Sequence, residues 1–161
     1  MKILLTGATG FVGSSLLKEL LKSGFKVSAV LREKVNTLPE LVKQYPVGNF
    51  AKDIDFSEIL SGVDCVIHLA GKAHVIDKNK ALVSNEFRQI NTTATLNLAT
   101  QSAKIGVKRF VFISSIRVNG NKNNKPFIEH ISNFGKPIIL STGASNLDEI
   151  KDAIKWIEKK E

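Results

Sequence analysis

The chain has 161 residues, 43% hydrophobic and 24% charged, which reads as one soluble globular domain. At this length folding buries roughly 68–70% of the unfolded surface, so no metal or disulfide is needed to hold a core. Cys65 is the single cysteine, which excludes an intrachain disulfide and points to a reducing, cytoplasmic compartment. The opening Met-Lys-Ile-Leu-Leu is too short for the apolar core of a signal peptide, and no apolar run approaches the ~20 residues of a membrane span.

The net charge is +8, yet only Arg32, Arg88, Arg109 and Arg117 are arginines; the other basic residues are lysines scattered along the chain. Base readout favours arginine, and single-strand binders interleave basic residues with aromatics. Here Trp156 and Tyr45 stand alone, and the phenylalanines mostly sit in apolar runs. Nucleic acid is therefore not an expected partner, and neither is a membrane. The lysine surplus reads as a solvated surface.

In chain order, residues 1–5 form a short apolar strand that ends at Thr6-Gly7. Phe11, Val12, Leu16, Leu17, Leu20 and Leu21 fall at helical spacing, and Gly24 stands at the C-cap position. Lys26–Leu31 is the second strand. Asn36-Thr37-Leu38-Pro39 reads as a cap and a short helix to about Lys43, followed by a weaker strand over Tyr45–Phe50. Phe56–Leu60 forms a short helix closed by Gly62, and Val63–Leu69 a strand apolar on both faces. A helix is expected over Ala81–Ile105 with Gly106 as its stop, then a strand over Arg109–Ile113.

This alternation calls for a parallel sheet covered on both faces. After the polar loop 119–126 come a short helix (Phe127–Phe134), a strand (Pro137–Leu140) and a terminal helix (Leu147–Lys160). Ile150, Ile154 and Ile157, with Ala153 and Trp156, give that last helix an apolar stripe. The expected fold is α/β: a single Rossmann-like doubly wound parallel sheet over 1–161. About six strands in the order 3-2-1-4-5-6 would place Pro137–Leu140 beside Arg109–Ile113.

Thr-Gly-Ala-Thr-Gly-Phe-Val-Gly (6–13) lies between the first strand and the first helix. One glycine makes the sharp turn, another lets backbone approach a pyrophosphate, and the last lets helix pack on strand. The helix N-terminus then offers unpaired N–H groups and a positive dipole end to phosphate. Glycines also occur in strand-to-helix turns that bind nothing, but three in this register after an apolar strand favour the phosphate reading.

Together with Val-Asp-Cys-Val-Ile-His-Leu-Ala-Gly (63–71), Asn-Thr-Thr-Ala-Thr-Leu-Asn-Leu-Ala (91–99) and Val-Lys-Arg-Phe-Val-Phe-Ile-Ser-Ser (107–115), followed by Val118-Asn119-Gly120, this loop makes residues 1–120 resemble the extended short-chain dehydrogenase/reductases. The likeness is strongest to the nucleotide-sugar epimerases and dehydratases. It implies an NAD or NADP cofactor, with Gly7, Gly10 and Gly13 along the pyrophosphate and Thr9, Phe11 and Val12 in the same loop. It further implies Leu69, Ala70 and Gly71 beside the dinucleotide, Asn91 on a flanking helix, and Asn49 and Phe50 near adenine, where relatives often carry an acidic residue instead of Asn49. Arg32 at the end of the second strand favours the 2′-phosphate of NADP, and Glu33 next to it opposes that. His68 reads as structural, and His74 is given no role.

The family's chemistry, by the same resemblance, uses a tyrosine followed four residues later by a lysine, with a serine that Ser115 matches and Ser114 adjoins. No Tyr-x-x-x-Lys occurs in the sequence, and the single tyrosine is Tyr45. Nor does the chain have length for the family's nucleotide-sugar domain. A dinucleotide-binding domain without the family's catalysis is the leading expectation, and nucleotide-sugar turnover is not expected. The alternatives are an active enzyme using another acid–base pair, for which Ser115, Lys72 and Lys136 are the nameable candidates, and a folded chain with no ligand. Residues 127–158, with Gly-Lys-Pro-Ile-Ile-Leu-Ser-Thr-Gly-Ala (135–144), resemble one unit of an N-acetylneuraminate synthase barrel, in which Ser141 would lie by phosphoenolpyruvate. That second likeness implies a fusion near Asn121, with 121–161 completing the sheet. No metal site and no oligomeric state are read from the sequence.

Overall fold

Ile3, Leu4 and Leu5 are each almost fully buried, so the strand that carries them, β1 (Lys2–Thr6), has apolar cover on both faces. The structure is a computed structural model that describes residues 1–50, 54–72, 88–115, 132–133, 140–141 and 147–158. In it β1 is the middle of a five-stranded sheet. The other strands are β2 (Lys26–Leu31), β3 (Lys43–Pro46), β4 (Cys65–His68) and β5 (Arg109–Phe112), in the order β3-β2-β1-β4-β5. The pairings of β1 with β2, β1 with β4 and β2 with β3 are all parallel. This is the doubly wound Rossmann-like order expected for the first five strands.

Strand alternation sorts the core into two layers. Ile3, Leu5, Val27, Ala29, Leu31 and Cys65 face one side, where Leu17 of helix α1 (Phe11–Lys22) covers them. Leu4, Val30 and Val66 face the other side, with Phe50, Phe56, Leu60 of the short helix α2 (Ser57–Leu60), and Ala94 and Leu98 of helix α3 (Ala94–Ile105). Cys65 is a buried thiol whose pKa burial pushes up.

Helix α3 continues from a π-helical turn over Gln89–Thr93, within the helix expected from Ala81; residues 81–87 lie outside the described ones. Gly106 ends it in the left-handed conformation at φ 84°, which a residue with a Cβ adopts only under strain. Asp64 ties the lower ends of three strands together. Its carboxylate accepts from the Lys2 amide at 2.8 Å and from Lys108 Nζ at 2.7 Å, and its carbonyl accepts from Arg109 N at 3.2 Å.

The helix expected over 36–43 is absent. This segment makes turns, Val42 N donates to Pro39 O, and the Gln44 side-chain amide both donates to Val35 O and accepts from Val35 N. These two bonds tie the start of the segment to the strand that follows, and the third strand runs over Lys43–Pro46 rather than Tyr45–Phe50.

Two compact units divide the chain, Met1–Val111 and Phe112–Glu161. In the second, β6 (Ser114–Ser115) pairs in parallel with β7 (Leu140–Ser141), Ser114 with Leu140 and Ser115 with Ser141. The sixth strand was expected over Pro137–Leu140, beside Arg109–Ile113; of it Leu140 is described, and its partner is Ser114. Pro137–Ile139, and all of the expected helix 127–134 except Ser132–Asn133, lie outside the described residues. In helix α4 (Leu147–Glu158), Ala153 is fully buried, whereas Ile154 is 44% exposed. The covered stripe therefore runs through Ile150, Ala153 and Ile157 and leaves Ile154 out.

Truncating Leu98, which has no exposed surface, to alanine should cost about 2–5 kcal/mol in urea unfolding. His68 is likewise fully buried, stacked on the Phe50 ring with 5.8 Å between centroids. Burial disfavours its charged form, so it titrates at about 4 in the folded chain against 6.5 when exposed. The unfolded chain therefore takes up this proton first as pH falls. The contribution of His68 to stability is full above pH 6.5, is lost progressively toward pH 4, and then levels off. Urea midpoints should drop between about pH 7 and about pH 4.5, and His68→Gln should flatten that drop.

Candidate functional site

The glycine loop begins where β1 ends. Gly7 takes φ 72°, and a Cβ on it would stand 2.8 Å from both Ala70 N and the Leu69 carbonyl carbon. The chain leaving β4 thus runs directly against the first turn of the loop. Gly13, the third residue of α1, is tighter still: a Cβ there would lie 1.9 Å from Gly7 O. No side chain fits, so the helix can sit this close to the end of β1 only with glycine at that position.

Gly10 is different. It has ordinary extended backbone (φ −77°, ψ 171°), and a Cβ would meet only Gly7 O, at 3.3 Å. The space in front of Gly10 is open, and as N-cap it brings no side chain to the first amides of α1. Those amides have no carbonyl inside the helix to bind. Thr9 and Gly10 are exposed, and Phe11 and Val12 are 93% and 59% exposed, so the helix start presents backbone and apolar surface outward. A phosphate fits this opening: unpaired N–H groups, a positive dipole end, and no Cβ in the way.

Opposite the loop, Leu69 and Ala70 are half-buried and Gly71 is exposed. Their turn is held from two sides. Thr6 Oγ1 accepts from Leu69 N at 3.2 Å and from Ala70 N at 3.0 Å, and lies 2.7 Å from His68 Nδ1. His68 Nε2 in turn lies 2.9 Å from Thr95 Oγ1 on α3. From the other side, Asn91 in the π-helical turn clamps Lys72: Lys72 N donates to Asn91 Oδ1 at 2.8 Å, and Asn91 Nδ2 donates to Lys72 O at 2.9 Å. Asn91 therefore acts on the loop backbone.

The structure brings together Gly7, Thr9, Gly10, Phe11, Val12, Gly13, Leu69, Ala70, Gly71 and Asn91 at the upper ends of β1 and β4. Arg32 is exposed just past β2, where its carbonyl accepts from Gly48 N at 3.0 Å. Asn49 is exposed beyond β3, whereas Phe50 is 7% exposed and belongs to the core, between His68 and Phe56. Ser114 and Ser115 belong to the second unit, and His74 and Lys136 lie outside the described residues.

Sequence reasoning missed two hydrogen-bonded groups. One is the Thr6–His68–Thr95 chain, foreshadowed only by the strand register that sets Thr6 beside His68. The other joins α3 to the segment before α2. Gln101 Oε1 accepts from Phe56 N at 2.7 Å, while Gln101 Nε2 and Asn97 Nδ2 both donate to Ile54 O. Among the described residues no group of three potential metal ligands exists, and no helix is long and apolar enough to cross a membrane.

Comparison with known proteins places this geometry in a family. The sequence model of the NAD dependent epimerase/dehydratase family matches residues 3–138, beyond residue 120 where the sequence likeness to epimerases was expected to end. A UDP-glucose 4-epimerase of Vibrio cholerae is 46% identical over 119 residues, which are 73% of this chain and 36% of that protein. Another from Klebsiella pneumoniae is 32% identical over 141 residues, 80% of this chain and 99% of the relative. Among solved structures, that of MoeE5 in complex with UDP-glucose and NAD superposes with a TM-score of 0.61 at 30% identity, covering 76% of this chain and 39% of MoeE5. The chain spans 36–40% of the length of the first curated relatives it matches. With its glycine loop, its parallel sheet and a family match over most of its residues, the chain belongs to the NAD dependent epimerase/dehydratase family.

Proposed function

We propose that this chain binds an NAD-type dinucleotide in the crevice between the glycine loop and the Leu69–Gly71 turn. The observation that carries this is the open approach at Gly10, set against the unpaired first amides of α1. Gly7 and Gly13 bring loop, helix and β4 turn to contact distance, and Asn91 holds the far side of the opening through Lys72. A bound nicotinamide cofactor would supply a hydride acceptor or donor. The residues of this chain bind and orient it.

The Tyr-x-x-x-Lys pair that the family resemblance implies for moving the substrate proton is not in this sequence. We therefore propose binding without nucleotide-sugar turnover through that chemistry in this chain. Arg32 is an exposed guanidinium at the end of β2, where a 2′-phosphate would come, and it tips cofactor choice toward NADP.

Thermal-shift titration with NAD, NADH, NADP and NADPH tests the binding. A ligand at a hundred times its Kd adds ~2.7 kcal/mol, a rise of several degrees for a domain of this size. Gly10→Asp suits the backbone angles at that position, and a carboxylate at an N-cap favours the helix, so the unliganded fold should survive. The same charge would stand where the pyrophosphate binds, so the rise should vanish. No rise with any of the four cofactors would overturn the proposal. Arg32→Ala should weaken NADP about tenfold and leave NAD unchanged; equal effects on both would remove the Arg32 assignment.

A further inference from the structure

Thr6 Oγ1 has three close neighbours and limited capacity. A hydroxyl oxygen has two acceptor positions and one proton. The amides of Leu69 and Ala70 can only donate, and they take both acceptor positions. The hydroxyl proton must then go to the third neighbour, His68 Nδ1, at 2.7 Å. That nitrogen must be bare, so a neutral imidazole carries its proton on Nε2 and donates it to Thr95 Oγ1. This tautomer pairs the Thr6 hydroxyl, both ring nitrogens and Thr95 Oγ1 together, in a place where Thr6 and His68 have no exposed surface and an unmet polar group is costly.

The direction of this chain has a consequence for the crevice. The Leu69 amide is shared, reaching Thr6 O at 3.3 Å as well as the hydroxyl, whereas the bond from Ala70 N ends on the hydroxyl. A Cβ on Gly7 would collide with that same amide and the carbonyl carbon before it. The hydroxyl beside His68 is therefore one of the groups that hold the β4 turn against the glycine loop, and the one that binds Ala70 N.

We propose that His68 is a positioning residue for the dinucleotide: by accepting the Thr6 proton at Nδ1 it turns both acceptor positions of the Thr6 hydroxyl toward Leu69 and Ala70 and fixes the width of the crevice. This rests on the binding proposed above. His68 has no contact with the ligand; it acts through Thr6.

Three measurements on the full chain test it. In the 15N-labelled wild type, two-bond 1H–15N correlations should show His68 with a bare Nδ1 and a protonated Nε2, the signal being assigned by its loss in His68→Gln. In NAD titrations by calorimetry, Thr6→Ser should keep the wild-type Kd within about twofold. Thr6→Val and His68→Phe, checked as folded by near-ultraviolet circular dichroism, should weaken it by about tenfold or more, the effect of stranding a buried hydrogen-bonding group. Finally, the Ala70 amide should exchange with solvent faster in Thr6→Val than in Thr6→Ser.

A protonated Nδ1 on His68 overturns the proposal, even if every variant fails to fold. So does a folded Thr6→Val that binds NAD as the wild type does, and so does equal weakening in Thr6→Ser and Thr6→Val. Failure of the wild type itself to bind any dinucleotide is a different result: it overturns the binding reading and this proposal with it.

Discussion

Gly13 and the carbonyl of Gly7 occupy space that a side chain would need, and the remainder of the crevice depends on that contact. With 1.9 Å between the oxygen and an ideal Cβ, nothing larger than hydrogen fits. Helix α1 can therefore start immediately after the end of β1, with its first amides next to the loop that closes on Gly7. The position of β1 at the centre of the sheet, with β2 on one side and β4 on the other, then puts that helix start beside the place where β4 emerges. A parallel sheet whose strand order reverses around its first strand leaves a gap there by topology. The glycines determine that the gap is lined by backbone.

Polar side chains supply the rest of the order in this region, and they do so by binding main chain. Asn91 bonds both the amide and the carbonyl of Lys72; Gln101 and Asn97 bond the backbone around Ile54 and Phe56; Thr6 bonds two successive amides after β4. Loops above a parallel sheet have no ladder to satisfy their N–H and C=O groups, and buried groups of this kind are seldom left unpaired. The helix packed on that face serves as the donor and acceptor rack. Asn91 in the π-helical turn and Asn97 and Gln101 on α3 all bind loop backbone in this way.

The parts legible from sequence were those set by local periodicity. β1, β2, β4 and β5 were apolar runs, α1 and α3 had helical spacing, and Gly106 marked the end of α3 where the left-handed turn occurs. The glycine loop was legible because its spacing depends on sterics that any such turn shares. The helix expected over 36–43 was misread because Gln44 reaches back to Val35, a contact between residues nine apart that no propensity encodes, and the strand expected to reach Phe50 ends at Pro46. The apolar stripe of α4 was drawn one position too wide at Ile154 because helical spacing alone gives no edge to the covered face. His68 looked structural for a sound reason, being an interior strand residue. Its link to Thr6 required the register of β1 against β4, which only the folded sheet supplies.

The single thiol of the chain sits inside the sheet it belongs to. Cys65 is 4% exposed on β4, one pairing step from Ile3, and desolvation keeps it protonated. Only a thiolate reacts readily with alkylating or oxidising reagents, so the folded sheet shields this sulfur both sterically and chemically. Modification has to wait for β4 to separate from its neighbours. The rate at which a thiol reagent consumes Cys65 is thus a clock for opening at the strand whose upper end forms one wall of the crevice, and the molecule carries that clock without any added label.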